Sequence, residues 1–147
     1  MRTYEDEEME EDNDRLTSSF VYASHWKSDL NFYKHELNFL TTLINKYFIY
    51  LIGENDLPSL PKLVARLEET KKVHKELSKD ITDYMSKIKL LMTNELSLEN
   101  FYQRKEHIML ETSFNIFTKA LRSLKRHIFA ITEEVMQHKK MKRLVQA

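Results

Sequence analysis

A chain of 147 residues with one glycine, two prolines and no cysteine most simply forms one domain of a restricted set of folds. Sheet proteins use glycine and proline in their many turns, so this scarcity argues against a sandwich, a barrel or an α/β fold. The lack of cysteine excludes disulfides, thiolate zinc sites, iron–sulfur clusters and cysteine nucleophiles, and it fits a reducing compartment.

The chain starts with an acidic segment, in which eight of the ten residues from 5 to 14 are Asp or Glu. Repulsion at this charge density opposes burial, so we expect residues 1–17 to form a disordered acidic arm. The segment lacks the positive start and the apolar run of a signal peptide. Total charge is zero, but residues 16–147 hold 21 basic against 15 acidic residues. The rest of the chain is therefore basic, and the opposite charges would allow the arm to fold over a basic surface and shield it, which the sequence alone does not decide.

The first helix is predicted from about residue 19 to residue 52. Apolar and aromatic residues recur there in steps of three and four, which is the heptad spacing of helices that pack on partner helices. This seam consists of Trp26, Leu30, Tyr33, Leu37, Leu40, Ile44, Tyr47 and Leu51. The apolar run that starts at Phe39 is too short to span a membrane. Phe39 also replaces the second histidine of the zinc-protease motif His-Glu-x-x-His.

Two more helices, at about 59–94 and 97–139, are predicted from the same spacing. The segment GENDLPSLPK separates the first two helices, with Gly53 as the end of the first and Asp56 and Ser59 as candidate N-caps. Only Ser97, as a candidate N-cap, marks the second boundary. The second seam is Leu60, Leu63, Leu67, Thr70, His74, Leu77, Ile81, Tyr84, Ile88 and Leu91, and the third is Leu110, Phe114, Phe117, Leu121, Leu124, Ile128, Ile131 and Val135.

Three long helices with short connections must fold back on one another. The sequence therefore predicts an all-α, antiparallel up-down-up three-helix bundle with coiled-coil-like packing over residues 18–141, followed by a basic tail at 142–147.

The first and third helices carry more apolar surface than one core requires. The additional residues are Phe32, Phe39, Leu43 and Tyr50 on the first helix, and Met109, Ile116 and Ala120 on the third. Each helix of a three-helix core touches two others, and wide apolar faces serve that purpose. Exposed phenylalanine stripes are nevertheless unusual on monomers. The pattern favours a protein–protein interaction or structural module that forms a homodimer through these faces.

Polar residues within the seams offer little chemistry. Thr70 and His74 are expected to form a polar notch in the core, with Glu36 or Thr118 as hydrogen-bond partners of the imidazole. A partly solvated His74 at the edge of the seam is the alternative. His107 and Glu111 share a helical face, but no further histidine lies at their level to complete a metal site. We therefore expect no cofactor, no metal and no enzymatic activity.

A basic ridge on the third helix supports the alternative function. The residues are Lys119, Arg122, Lys125 and Arg126, and the second helix adds Lys71, Lys72, Lys75 and Lys79. Such ridges neutralise phosphates in proteins that bind nucleic acid or another polyanion. Lysine-rich helix faces are also common as solvated surface, so the ridge alone does not indicate a ligand.

One pattern in the first helix resembles a known group of proteins. Trp26 is followed, after six residues, by YKHELNFL at residues 33–40. This resembles the W…(Y/W)KxELxFL pattern in the first helix of small uncharacterised helical proteins from Bacteroidetes. The resemblance implies a cytoplasmic bacterial protein with two more amphipathic helices. It implies no activity and assigns no functional residue.

Overall fold

A computed structural model describes residues 2–54, 60–93 and 100–146. Its elements are three helices: α1 (Tyr4–Glu54), α2 (Leu60–Met92) and α3 (Asn100–Gln146). The predicted all-α three-helix bundle is confirmed.

The heptad seams form the core of the bundle. All ten seam residues of α2 are buried, as are seven of the eight on α3, with Val135 half-buried. On α1, Trp26, Leu30, Leu37, Leu40 and Ile44 are buried and Tyr33 is half-buried. Burial of one such apolar side chain contributes on the order of 2 kcal/mol. The same spacing therefore favours the helices and provides the faces by which they pack, because it places these side chains on one face of each helix.

The chain divides into two compact units, and each helix contributes to both of them. The first unit consists of Met1–Phe32 and His74–Ile116. In it, contacts from Ser19 to Gln103 and from Trp26 to Phe114 run in the same direction, so α1 and α3 are parallel. Tyr84 contacts His107, whereas Lys87 contacts the earlier Glu106, so α2 runs antiparallel to α3.

The second unit consists of Tyr33–Val73 and Phe117–Ala147. Contacts from Tyr33 to Phe117 and from Glu36 to Lys125 again place α1 and α3 parallel. From α2, Arg66 reaches Ser123 and His127 of α3. Each unit thus contains parts of all three helices, with α1 and α3 parallel.

The prediction of a disordered arm differs from the structure, because α1 begins at Tyr4 and not near residue 19. Thr3 caps the helix: its hydroxyl accepts a hydrogen bond from the Asp6 amide, and the Asp6 carboxylate accepts one from the Thr3 amide. The Thr3 hydroxyl also donates to the Asp6 carboxylate, and this bond together with the one from the Thr3 amide lowers the pKa of Asp6. Acidic residues are also favoured near the positive end of the helix dipole, which offsets part of their mutual repulsion.

The other boundaries agree with the sequence to different degrees. Helix α2 starts and ends within two residues of its predicted limits, whereas α3 continues through most of the predicted basic tail to Gln146. Gly53 lies within α1, so it does not end that helix as predicted. The candidate N-caps Asp56, Ser59 and Ser97 lie outside the described residues. In the described ranges, no helix has an apolar stretch of the length and hydrophobicity that crossing a bilayer requires.

Candidate functional site

The two polar seam residues of α2 are both buried, each with 9% of its surface exposed. In the second unit, the Thr70 hydroxyl donates to the carbonyl oxygen of Arg66 one turn earlier, at 2.7 Å. In the first unit, His74 Nε2 donates to the carbonyl oxygen of Leu30 at 2.6 Å. This main-chain partner was not predicted. Glu36, one of the predicted partners of the imidazole, forms an ion pair with Lys125 instead.

A second polar cluster joins all three helices of the first unit. Gln103 of α3 is buried, and its side-chain amide donates to Ser19 Oγ of α1 at 3.0 Å and to Tyr84 Oη of α2 at 2.8 Å. The Tyr84 hydroxyl in turn donates to His107 Nδ1 at 2.7 Å. We name Ser19, Tyr84, Gln103 and His107 the polar layer. Each of these four side chains has a hydrogen-bond partner within the layer, as buried polar groups require.

Burial shifts the titration of both ionisable members of the polar layer. Desolvation lowers the pKa of His107, because the charged imidazolium loses solvation near Tyr22, Trp26 and Tyr84. Glu111, whose carboxylate lies 3.9 Å from Nε2, opposes this shift. Desolvation also raises the pKa of Tyr84 above its usual value. The neutral imidazole therefore accepts a hydrogen bond from the Tyr84 hydroxyl, and the donors of the network run in one direction, from Gln103 to Tyr84 and from Tyr84 to His107.

The heptad spacing of the sequence extends to two residues of the polar layer. Ser19 lies seven residues before Trp26, and Gln103 lies seven residues before Leu110. Both positions therefore continue the heptad seams toward the N-terminus. Ala23 and Leu16, which are buried, follow the same spacing on α1. The predicted seam of α1 starts at Trp26, so it leaves out Ser19 and Ala23, although both lie within the predicted helix.

The parts of the chain that the structure describes contain no group of three or more His, Cys, Asp or Glu side chains that could hold a metal ion. Among these residue types, His107 and Glu111 lie close together, but no third such side chain joins them in the described residues. The expectation that the protein is not an enzyme stays a prediction.

Two of the predicted self-association residues of α1, Phe39 and Leu43, lie on the side of that helix that faces α3. In the second unit, Glu36 of α1 contacts Lys125 of α3, and Phe39 and Leu43 follow Glu36 by three and seven residues, which places them on its side. Phe39 is 57% exposed and Leu43 is half-buried. In the first unit, Phe32 is also mostly exposed. The side chain of Tyr50 lies outside the described ones.

The predicted self-association residues of α3 lie on the side of that helix that faces α2. In the first unit, Glu106 of α3 contacts Lys87 of α2, and exposed Met109 and Ile116 follow Glu106 at helical spacing. In the second unit, Ala120 precedes Ser123 by three residues, and Ser123 accepts a hydrogen bond from Arg66 of α2. In the first unit, Met109 and Ile116 therefore lie on the side of the α2–α3 contact, and in the second unit Phe39 and Leu43 lie on the side of the α1–α3 contact.

Large apolar side chains of α3 that were not predicted lie nearer to the α1 stripe. Phe129 and Met136 are exposed, and they follow Lys125 by four and eleven residues, on the side of α3 that faces α1 in the second unit. Phe39, Leu43, Phe129 and Met136 thus border the same helix contact. We name these four residues the α1–α3 face.

The basic ridge of α3 divides into two parts. Lys125 Nζ lies 2.5 Å from Glu36 Oε1, so the charge of this lysine is compensated by an ion pair within the bundle, unlike the charges of the other three ridge residues. Lys119, Arg122 and Arg126 are exposed and form no ion pair with other described residues. With Ser123 and His127 they line a recess of about 410 Å³. We name these five residues the cationic recess.

Arg66 of α2 adds a fourth cation at the edge of the cationic recess. Its guanidinium donates to His127 Nδ1 at 3.0 Å and to Ser123 Oγ at 3.3 Å. The lack of ion pairs for the α3 cations among the described residues agrees with the sequence, since residues 112–132 of α3 contain no Asp or Glu. The lysines of α2 differ, since Lys71 pairs with Glu68, and Lys72, Lys75 and Lys79 alternate with Glu76, Asp80 and Asp83.

Comparisons of this chain with protein-family models, with curated proteins and with solved structures find no match.

Proposed function

We propose that this protein is a helical-bundle interaction module that self-associates as a homodimer through the α1–α3 face. The exposed apolar and aromatic side chains of this face support binding by side-chain packing. The observation that carries the proposal is the exposure of Phe39, at 57%, on α1 and of Phe129, at 41%, on the side of α3 that faces α1 in the second unit. Aromatic rings are the side chains that contribute most at protein interfaces when they become buried.

The gain from covering one of these rings is considerable. A phenylalanine side chain buries on the order of 200 Å² when it is fully enclosed, so covering the exposed part of Phe39 removes about 100 Å² from water. At about 25 cal/mol per Å², this contributes on the order of 2.5 kcal/mol. In a two-fold symmetric dimer the same ring contributes twice, because both copies present the same surface.

Light scattering coupled to size-exclusion chromatography tests the proposal. We expect the wild-type chain to elute as a dimer at high micromolar concentration, and Phe39→Glu to shift it to the monomer mass. Asn38→Glu is the matched control, since Asn38 is an exposed neighbour that receives the same charge on another side of α1. A monomeric wild-type protein, or a dimer that Phe39→Glu leaves intact, would refute the proposal.

An alternative function is binding of nucleic acid or another polyanion through the Lys/Arg ridge. The unpaired charges of Lys119, Arg122 and Arg126 around the cationic recess support it. Binding that rests on phosphate contacts weakens steeply as salt rises. A titration of random duplex DNA at low and high salt, with the full chain and with residues 1–17 removed, tests this function. No binding by either chain at low salt would exclude it.

We further propose that the module acts in a bacterial cytoplasm. The lack of cysteine and the Trp26…YKHELNFL pattern support this location. Fractionation of cells that express a tagged chain measures it directly, and recovery from the external medium would contradict it.

A further inference from the structure

We propose that the cationic recess binds the diphosphate group of a small phosphorylated molecule. The recess lies within the second unit, where Arg66 of α2 contacts α3. The inference rests on the alternative function, the binding of a polyanion, and it names the class of ligand for that same ridge. It does not use the α1–α3 face through which we propose that the protein self-associates.

The contacts of Arg66 determine which hydrogen-bonding groups of α3 remain for a ligand. A guanidinium can only donate, so His127 Nδ1, at 3.0 Å, accepts, and the proton of the imidazole is on Nε2. Ser123 Oγ also accepts from Arg66, at 3.3 Å, so the hydroxyl proton is not used in this contact. His127 and Ser123 both line the recess. Each of them therefore retains a hydrogen-bond donor for an anion.

The hydroxyl of Ser123 differs in this respect from other hydroxyls of the same helix. Thr112 and Thr132 each donate to the carbonyl oxygen four residues earlier, at 2.9 and 2.8 Å, and such a bond uses the hydroxyl proton. The described contacts of Ser123 include no such bond. Its proton is therefore available to an oxygen atom of a ligand in the recess.

The cations around these donors carry more charge than one phosphate group neutralises. Lys119, Arg122 and Arg126 line the recess without an ion pair to any described residue, and Arg66 lies at its edge. A phosphate group carries about −1.5 to −2 at pH 7, so these cations correspond to two linked phosphate groups. Arginine suits such a ligand, because its parallel N–H groups match phosphate oxygens. The volume of about 410 Å³ is also in the range of small-molecule sites, about 300–1,000 Å³.

Carboxylates near the recess favour a compact anion over a nucleic acid backbone. Glu69 follows Arg66 by three residues and Glu133 follows Arg126 by seven, so each shares a helix face with a recess cation. Both are exposed, and neither forms an ion pair within the described ranges. A duplex would extend its phosphates past the recess toward these charges. A diphosphate is shorter than the row of cations from Lys119 to Arg126, which spans about 10 Å.

Isothermal titration calorimetry of the full chain with inorganic pyrophosphate at about 50 mM salt tests the inference. We expect one pyrophosphate to bind per chain, and we expect the double variant Arg122→Gln, Arg126→Gln to raise the Kd at least tenfold. The matched control is Lys72→Gln, Lys79→Gln. It changes the net charge equally at two exposed lysines of α2, each with an acidic residue four positions later. We expect less than a threefold change in its Kd.

Ser123→Ala separates a site with defined donors from a general attraction between charges. It removes one hydroxyl and leaves every charge in place, so we expect the Kd to rise about three- to tenfold. Ser113→Ala, at another exposed serine of α3, should leave the Kd unchanged. A Kd that Ser123→Ala does not alter would overturn the inference, as would an equal effect of the lysine control. Circular dichroism melts of all variants verify that these exposed substitutions leave the fold intact.

The outcomes separate this inference from the functions proposed above. If duplex DNA binds and pyrophosphate does not, the diphosphate site is wrong and the polyanion function stands. If neither ligand binds, both are wrong. Phe39→Glu should leave the Kd for pyrophosphate within about threefold of wild type, because Phe39 does not line the recess. Loss of pyrophosphate binding together with the dimer would place the ligand between two copies and contradict the site inferred here.

Discussion

Removal of one hydroxyl group tests the polar layer of the first unit. The Tyr84 side chain is fully buried, and its hydroxyl accepts a hydrogen bond from Gln103 and donates one to His107. In Tyr84→Phe the ring keeps its place and nearly its volume, so no large cavity is created. The change therefore isolates the hydrogen bonds from the packing of the core.

The expected loss follows from the partners that remain. His107 Nδ1 loses its donor in a largely buried position, and an unsatisfied buried acceptor costs about 1–3 kcal/mol. Gln103 retains its bond to Ser19, so its amide loses one of two partners. We expect Tyr84→Phe to lower the free energy of unfolding by about 2 kcal/mol. Tyr4→Phe, at an exposed position in α1, should change it by less than about 0.5 kcal/mol.

Urea unfolding followed by circular dichroism at constant pH measures both values, provided that the slope with denaturant is the same in all variants. A double-mutant cycle with Gln103→Leu then isolates the coupling. We expect the double variant to be less destabilised than the sum of the single variants by at least about 0.5 kcal/mol, because the two side chains belong to one network. A loss below about 0.5 kcal/mol for Tyr84→Phe would refute the view that this layer stabilises the bundle.

Two further predictions concern pH and core packing. Burial lowers the pKa of His107 in the folded chain, so below about pH 6.5 the unfolded chain binds a proton that the folded chain resists. The free energy of unfolding should therefore fall from pH 7.5 to 5.5, and it should fall less in His107→Gln; equal slopes in urea titrations of both chains would contradict the assignment. Leu124→Ala removes a fully buried side chain and should lower stability by about 3 kcal/mol, whereas Leu144→Ala, at an exposed position of the same helix, should change it by less than about 0.5 kcal/mol in the same assay.

The core of the bundle was predictable because heptad spacing depends on each helix alone. All ten seam positions of α2 are buried, and they include the polar Thr70 and His74. The start of α1 was not predicted, because the density of negative charge was weighed without the cap at Thr3. Leu16, which is buried, lies in the segment predicted to be disordered, whereas buried Ala23 lies within the predicted first helix but outside its predicted seam.

Contacts between helices were less predictable, since they depend on the level at which one helix lies beside the next. Folding the chain about the middle of its first turn places His74 beside Glu36, but its imidazole reaches the carbonyl of Leu30, six residues earlier. Main-chain acceptors are invisible in a side-chain pattern. The pairing of Lys125 with Glu36, which divides the predicted basic ridge, likewise needs both helices in position.

The polar layer explains how the level of the helices in the first unit is specified. Leucine and isoleucine seams alone tolerate a slip of one heptad, because such a slip again places apolar side chains against apolar side chains. A slip of seven residues, about 10 Å, would separate Gln103 from Ser19 and Tyr84 and leave their polar groups buried without partners. Each such group costs about 1–3 kcal/mol, so the slipped bundle is less stable by several kcal/mol in a chain whose total stability is about 5–15 kcal/mol. One residue from each helix thus fixes a register that the apolar seams leave open.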